Sequence, residues 1–234
     1  MTLNPLNRNA IFYLDDLALE ADHSGAVFIP LHEILIVADL HFEKAHSLSE
    51  KRGMSFPPFD SRDTLLRLKN IMKHYKPNRL ICLGDTWHDA RGPQRMQIAD
   101  RKLFQEIITT CETQFVIGNH DQNITELDGL SFHKDIRIGA IALRHEPIEN
   151  QDLFQICGHF HPVAKIKQKG RVIRRRCFYL TRKQCVLPAL GSLTGGLNCL
   201  DEAFETFMSV EDRRVVVIGR DRLYHLGMAR LITD

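Results

Sequence analysis

Five short apolar runs in this chain each end in a side chain that can hold a metal ion, which is the strongest constraint the sequence sets on its own fold. Residues 34–38 run into Asp39-Leu40-His41, and residues 80–83 into Gly84-Asp85. Residues 115–117 run into Gly118-Asn119-His120-Asp121, and residues 138–143, past Arg144, into His145. Residues 154–157 run into Gly158-His159-Phe160-His161. Short runs rich in β-branched residues are expected as buried strands. Groups just past the ends of such strands gather along one edge of a sheet. Carboxylates, an amide and imidazoles far apart in sequence can therefore meet. The set offers oxygen and nitrogen but no thiolate, which suits a pair of divalent ions.

With 234 residues, 44% of them apolar, the chain can fill a substantial core. It contains no repeat, linker or low-complexity segment, so one domain over residues 1–234 is expected. A net charge of +2 excludes a uniformly basic nucleic-acid coat and leaves only local clustering for such a role. None of the six cysteines forms a CxxC pair, and buried reduced thiols are expected over disulfides or a zinc knuckle. The first fifteen residues lack the apolar core of a signal peptide, and no run approaches membrane-spanning length. The expected location is cytoplasmic, with no membrane partner.

Residues 10–38 read as a β-rich opening with a turn near 22–25. The spacing of Leu65, Leu66, Leu68, Ile71, Met72 and Tyr75 predicts a helix over 60–75, capped by Asp60 or Ser61 and followed by Pro77. A second helix is predicted over 94–111 from Met96, Ile98, Leu103, Phe104, Ile107 and Ile108. Alternating strands and helices make an α/β unit. Beyond residue 125 the helical signal fades into short strand-like pieces, down to 215–218 and a turn at 219–221. These pieces are expected to supply a second sheet.

Singly, Asp39-Leu40-His41 and Gly84-Asp85 are ordinary turn chemistry. Gly118-Asn119-His120-Asp121 says more: it offers an amide ligand, an imidazole and a carboxylate that could orient that imidazole. Two imidazoles two residues apart in Gly158-His159-Phe160-His161 strengthen the case. A lone strand histidine is usually structural, but all five motifs together are not explained that way. His88, Asp89 and Arg91 follow Asp85 closely and could line the cleft, but an ordinary surface role or one supporting the site from behind is expected for each.

The ordered series Asp-x-His, Gly-Asp, Gly-Asn-His-Asp, His, Gly-His-x-His resembles the calcineurin-like metallophosphoesterase superfamily. The resemblance implies a four-layer α/β/β/α sandwich with a dinuclear metal site at the strand ends. It also implies that Asp39, His41, Asp85 and His161 bind one metal, and Asp85, Asn119, His145 and His159 the other. His120, oriented by Asp121, would protonate the leaving group. The fourth motif is Arg144-His145 where the superfamily commonly has Gly-His. The run from Val37 to Ala45, His145-Glu146-Pro147, the Gly158–Pro162 stretch and the Leu187–Gly196 stretch resemble a narrower family, the ligase-associated DNA-damage-response endonucleases. That resemblance implies hydrolysis of DNA phosphodiester bonds by a hydroxide activated by two metals, in DNA repair. The implied partners are DNA and, in the same repair system, an ATP-dependent DNA ligase, a helicase and an exonuclease. Manganese is the first choice of metal, with iron or zinc able to use the same ligands.

One feature bears on the substrate independently. Nine basic residues and no acid lie between Lys165 and Lys183, with Phe178 and Tyr179 among them. Lys167, Arg171, Arg174, Arg175 and Arg176 are the candidate DNA contacts, because backbone binding needs a local positive surface. The alternative for this segment is a solvated hairpin turning at Gly170. Two other functions stay open: a phosphomonoesterase or nucleotide phosphatase of the same superfamily, and a non-catalytic scaffold.

Overall fold

In the computed structural model, which describes residues 4–5, 9–14, 16–53, 56–122, 124, 130–149 and 152–234, the apolar runs pair into two sheets. Strand β1 (Asn4–Pro5) belongs to the second. The first has seven strands whose spatial order is their chain order: β2 (Asn9–Leu14), β3 (Leu17–Asp22), β4 (Val27–Ile29), β5 (Ile34–Ala38), β6 (Arg79–Leu83), β7 (Glu112–Val116) and β8 (Ser131–His133). From β5 onward the pairing is parallel, as buried β-branched strands with helical crossovers require. Ala38 is in register with Leu83, and Leu83 with Val116, so these strands end level.

The second sheet contains β9 (Ile136–Ile138), β10 (Ile141–Arg144), β11 (Phe154–Cys157), β12 (Val163–Gln168), β13 (Arg171–Leu180), β14 (Gln184–Val186), β15 (Arg214–Ile218) and β16 (Leu223–Leu226). Its order is β1-β16-β15-β13-β14-β11-β10-β9, with β12 on β13. Strands β10, β11 and β14 run parallel, which levels His145 with the residues just past β11. Between the sheets lies one core, with Ile36, Ile81, Leu83 and Val116 from the first and Leu143, Ile156, Phe178 and Val216 from the second. Helices α1 (Lys44–Arg52), α2 (Asp60–Tyr75), α3 (Gly92–Arg95) and α4 (Ile98–Ile108) flank the first sheet. Leu65, Leu68, Leu103, Phe104 and Ile107 of α2 and α4 pack on its outer face. The expected α/β sandwich is thus observed. Its fourth layer consists of short 3₁₀ turns and irregular chain, with Phe204, Met208 and Cys199 covering Tyr179 and Val217. All six cysteines are free and five of them are buried. Among the described residues no helix is long and apolar enough to cross a membrane.

Three local expectations are corrected. The helix predicted over 94–111 is broken at Met96, whose extended ψ of 129° separates α3 from α4. Met96 and Ile98 lie two apart, so one helix could not bury both. Met96 sinks toward Trp87, and Ile98 is left 76% exposed. Helix α1 was not predicted, because its nine residues carry no apolar stripe. Polar contacts hold it instead: Ser47 Oγ donates to Asp89, and Glu50 meets Arg91 at 3.0 Å. Asp60 and Ser61 do not cap α2, which starts after Phe59 without a side-chain cap. They face α1: Asp60 Oδ2 accepts from the Ala45 N–H, and Ser61 Oγ bonds both the backbone N–H and the carboxylate of Glu43.

Candidate metal centre

Every predicted ligand lies just past a strand end, and the loops that carry them are knitted together. His41 N–H donates to the Asp85 carbonyl at 2.9 Å and Phe42 N–H to that of Thr86 at 3.0 Å, extending the β5–β6 pairing. From the other side Leu190 N–H donates to Ala38 and Gly191 N–H to Asp39. The chain must then turn sharply to aim side chains into the cleft. Of nine non-glycine residues with positive φ among the described residues, five are Asp39, His41, Asp85, His159 and His161. Asp and His tolerate this region better than most side chains, yet each instance stores local strain. Such clustering marks a functional site, and nothing in the sequence announces it.

Close approach is bought by glycine. A Cβ on Gly118 would stand 2.2 Å from both the backbone nitrogen and Oδ1 of Asp85. A Cβ on Gly158 would stand 2.5 Å from Asp39 Oδ2, the carboxylate that accepts the His159 N–H at 3.1 Å. Gly118 therefore cradles the carboxylate of the adjacent strand's loop, Gly158 that of Asp39 across from the other sheet, and Gly84 the His145 imidazole, a stronger role than turn chemistry alone.

The donor atoms fall into two groups that share Asp85. Its Oδ2 lies 3.6 Å from His41 Nε2, which in turn lies 3.2 Å from His161 Nε2. Asp39 Oδ1 completes that group, 3.4 Å from His161 Nε2. On the other side Asp85 Oδ1 lies 3.5 Å from His145 Nε2. His145 Nδ1 must donate to the Leu83 carbonyl at 3.1 Å, so its Nε2 presents a lone pair. That lone pair faces Asn119 Oδ1, also an acceptor, at 2.9 Å, and His159 Nδ1 at 3.1 Å. In the neutral rings, Nε2 and Oδ1 so opposed repel unless a proton on His159 Nδ1 or a metal ion lies between them. Spacings near 3 Å are those of neighbouring ligands at right angles on one ion with bonds of about 2.1 Å. The donor set therefore fits divalent metal.

The electrostatics agree. Burial, with His161 and Lys44 adding to it, holds His41 far below the ordinary histidine pKa. Burial likewise lowers His159, with His145 contributing. Neutral imidazoles keep the lone pairs that ligation needs. Burial pushes Asp85 upward, His145 opposes this, and Asp39 reinforces it. Two buried carboxylates thus lie side by side, and a bound cation would relieve that cost.

His120 reaches the same cleft by a different anchor than expected. Its Nδ1 donates to the His88 carbonyl at 2.6 Å, and its Nε2 lies 3.9 Å from Asp85 Oδ2. Asp121 does not orient this ring. Its carboxylate accepts the backbone N–H groups of Thr86, Trp87 and Gly118, and so staples the β6 loop to the β7 loop. His88 lines the cleft, the less favoured of the two expectations for it: its ring stacks on His120 at 5.0 Å and lies 3.4 Å from His41. Burial, with Lys44 and His120 beside it, lowers His88 to about 4.

A family model for calcineurin-like phosphoesterases matches residues 32–178, which is more than half of the chain and spans all seven predicted ligands. The chain belongs to this family. The phosphoesterase shares its fold with the crystal structure of the Pseudomonas putida nuclease MPE, at 24% identity and a TM-score of 0.74, over 93% of this chain and 100% of that one. A weaker likeness is to Yfce, a phosphoesterase from E. coli, at 15% identity and a TM-score of 0.39, over 81% of this chain and 90% of that one. No curated protein matches the chain.

Beyond the cleft the phosphoesterase projects its basic hairpin. Strands β12 and β13 are joined by Lys169-Gly170, both at positive φ, the tight two-residue turn that matches strand twist. Lys167, Arg171, Arg174 and Arg175 are exposed. Arg176 is not available in the same way. Its guanidinium turns inward and donates to the carbonyls of Ala189 and Ser24. Burial, with Arg67 nearby, lowers its pKa to about 10. Phe178 and Tyr179 are fully buried and present no face to a base.

The glycine cradle yields a direct expectation. Gly118→Ala should displace the Asp85 loop, because the new methyl meets backbone as well as side chain. Bound manganese and hydrolysis of a small phosphate ester should both fall at least tenfold, with a stability loss of about 1–3 kcal/mol. Elemental analysis and urea unfolding check this, and wild-type metal content in the variant would contradict it.

Proposed function

We propose that this phosphoesterase is a metal-dependent DNA endonuclease acting on phosphodiester bonds in DNA repair. The observation that carries the proposal is the continuity between the metal centre and the basic hairpin: β12 begins two residues after His161. Asp39, His41, Asp85 and His161 would hold one divalent ion, and Asp85, Asn119, His145 and His159 a second. Asp85 directs one oxygen to each group. Manganese is the first candidate for an oxygen- and nitrogen-rich site, and iron or zinc fit the same donors. When bound, such a pair neutralises phosphate oxygens and lowers the pKa of a water.

The chain's own groups supply the rest. Leu83 fixes the tautomer of His145 through Nδ1, keeping Nε2 aimed into the cleft. The His88 carbonyl holds the Nδ1–H of His120. In the doubly protonated ring Nε2 is then the atom that passes a proton to the departing oxygen, and the neutral ring is left behind. At 35% exposure the His120 side chain is open enough to meet a substrate, while Asp39 and Asp85 are shut away beneath it. Lys167, Arg171, Arg174 and Arg175 offer charge to the polynucleotide backbone beyond the scissile bond. The fold shared with a nuclease is compatible with this assignment. A cytoplasmic setting, and work alongside an ATP-dependent DNA ligase, a helicase and an exonuclease, complete the proposal.

The deciding experiment is a substrate panel with added manganese: single-stranded, duplex, nicked and flapped DNA, RNA, and aryl mono- and diesters. DNA cleavage with the aryl diester favoured over the monoester is expected. Monoester hydrolysis without DNA cleavage would make the protein a phosphomonoesterase, and failure to retain metal would make it a scaffold.

His120→Ala should slow DNA hydrolysis by roughly 10²–10⁴-fold. An aryl diester, whose leaving group needs no proton, should lose far less, with metal content unchanged. Equal losses on both substrates would reassign His120 to structure.

Replacing Arg171, Arg174 and Arg175 by Gln should flatten the slope of log affinity for DNA against log salt by roughly 0.7–0.9 per lost contact. Arg176→Gln should leave that slope nearly unchanged and lower thermal stability instead, because it loses bonds to Ala189 and Ser24. The reverse pattern would remove the hairpin from the DNA interface.

A further inference from the structure

Among the described residues, Lys51, Arg91 and Arg95 on the α1 side of the cleft are paired, and Lys44 is not. Lys51 meets Asp89 at 3.6 Å, Arg91 meets Glu50 at 3.0 Å, and Arg95 meets Asp89 at 2.7 Å. Lys44, the first residue of α1, takes part in no ion pair and no side-chain hydrogen bond among the described residues. It is half-buried and starts from backbone that is bound to the cleft loop, where Phe42 N–H donates to the Thr86 carbonyl and His88 N–H to that of Phe42. Its charge is felt at His41, His88 and Asp85.

Its backbone is held on both sides. Glu43 N–H donates to Ser61 Oγ at 2.8 Å, and Ser61 Oγ returns a bond to the Glu43 carboxylate at 2.8 Å. Ala45 N–H donates to Asp60 Oδ2 at 3.0 Å. Glu43 itself is forced to a φ of 66°. Three contacts with the first turn of α2 and a strained residue thus fix where Lys44 starts, while its own charged end is left unsatisfied. A half-buried cation without a partner is unfavourable, and an arriving anion removes that cost through a charge-assisted hydrogen bond.

We infer that Lys44 is a substrate-anchoring residue whose ammonium hydrogen-bonds a non-bridging oxygen of a phosphate group bound in the cleft. This rests on the phosphoesterase site and not on the choice of DNA as substrate. The rival role is charge balance, in which Lys44 merely offsets Asp39 and Asp85.

Lys44→Gln and Lys44→Arg, made in the full chain and loaded with manganese, separate the two. Bound manganese and melting temperature report structure. Calorimetry with inorganic phosphate reports anion binding without turnover. Kinetics on an aryl diester and a single-stranded oligonucleotide report substrate binding. In Lys44→Gln the Kd for phosphate or the KM for a substrate should rise roughly tenfold or more, at unchanged metal content, and Lys44→Arg should recover most of it. A KM rise on both substrates places the contact at the scissile phosphate, and a rise on the oligonucleotide alone places it at a flanking one. Unchanged phosphate affinity and KM, or loss of metal in step with activity, would overturn the inference. Wild-type protein that hydrolyses the aryl ester but not DNA would overturn the endonuclease proposal alone and leave the Lys44 comparison readable.

Discussion

Around Asp85, the lone pairs of carboxylate, amide and imidazole groups crowd together. His145 Nε2 and Asn119 Oδ1 stand 2.9 Å apart, both as acceptors, and Asp39 and Asp85 are almost completely buried beside them. Burial keeps water from diluting the repulsion between the two carboxylates, while Asn119 and His159 complete the group from its open side. Level strand ends set the spacing, left-handed backbone at five positions sets the aim, and glycines keep methyl groups out of the contacts. The fold holds the site in a state that only a cation makes comfortable, which is the sense in which a metal centre is preorganised.

The two sheets contribute unequal shares, and the seam between them is braced. Asp39 and Asp85 follow strands of the first sheet, whereas His145, His159 and His161 follow strands of the second. Asp39 crosses the seam to accept the His159 N–H. The stretch from Leu187 to Gly191 crosses it too, with Leu187 N–H on Cys157 of the second sheet and Leu190 N–H on Ala38 of the first. Arg176 tightens the same seam by reaching from β13 to Ala189 and to the turn at Ser24. One arginine in a row of basic residues is thus taken out of the surface to hold geometry, whereas Arg175 stays in solvent and Arg174, though exposed, donates to the Gly196 carbonyl.

The candidate ligands were legible in the sequence because their rule is local: an apolar run followed within a few residues by Asp, Asn or His. Asp39, Asp85, Asn119, His145 and His161 all obey it, and the two sheets followed from the same runs. What escaped was held by interactions with no short-range pattern. Helix α1 lacks an apolar stripe and depends on Asp60, Ser61 and Asp89, which are distant in sequence. The anchor of His120 is a backbone carbonyl at position 88, a partner that no side-chain motif encodes. Asp121 sits next to His120 in the sequence, yet its carboxylate turns to three backbone N–H groups. Adjacency suggested a dyad where the loop needed a staple.

Because the donors come from both sheets, site formation and sheet packing are one event. The first sheet supplies Asp39, His41, Asp85 and Asn119, and the second supplies His145, His159 and His161, so neither sheet alone completes either group. Unfolding either sheet would disperse the ligands and release whatever ion they hold, so an ion bound here stabilises the packed state by its binding free energy. The argument also runs backwards. The core between the sheets, with Ile36, Leu83, Leu143 and Ile156 among its members, supplies the work that keeps Asp39 and Asp85 together without an ion. Apolar burial and metal chemistry in this protein are therefore coupled through the same few strand ends, where each strand contributes its length to the core and its last turn to the cleft.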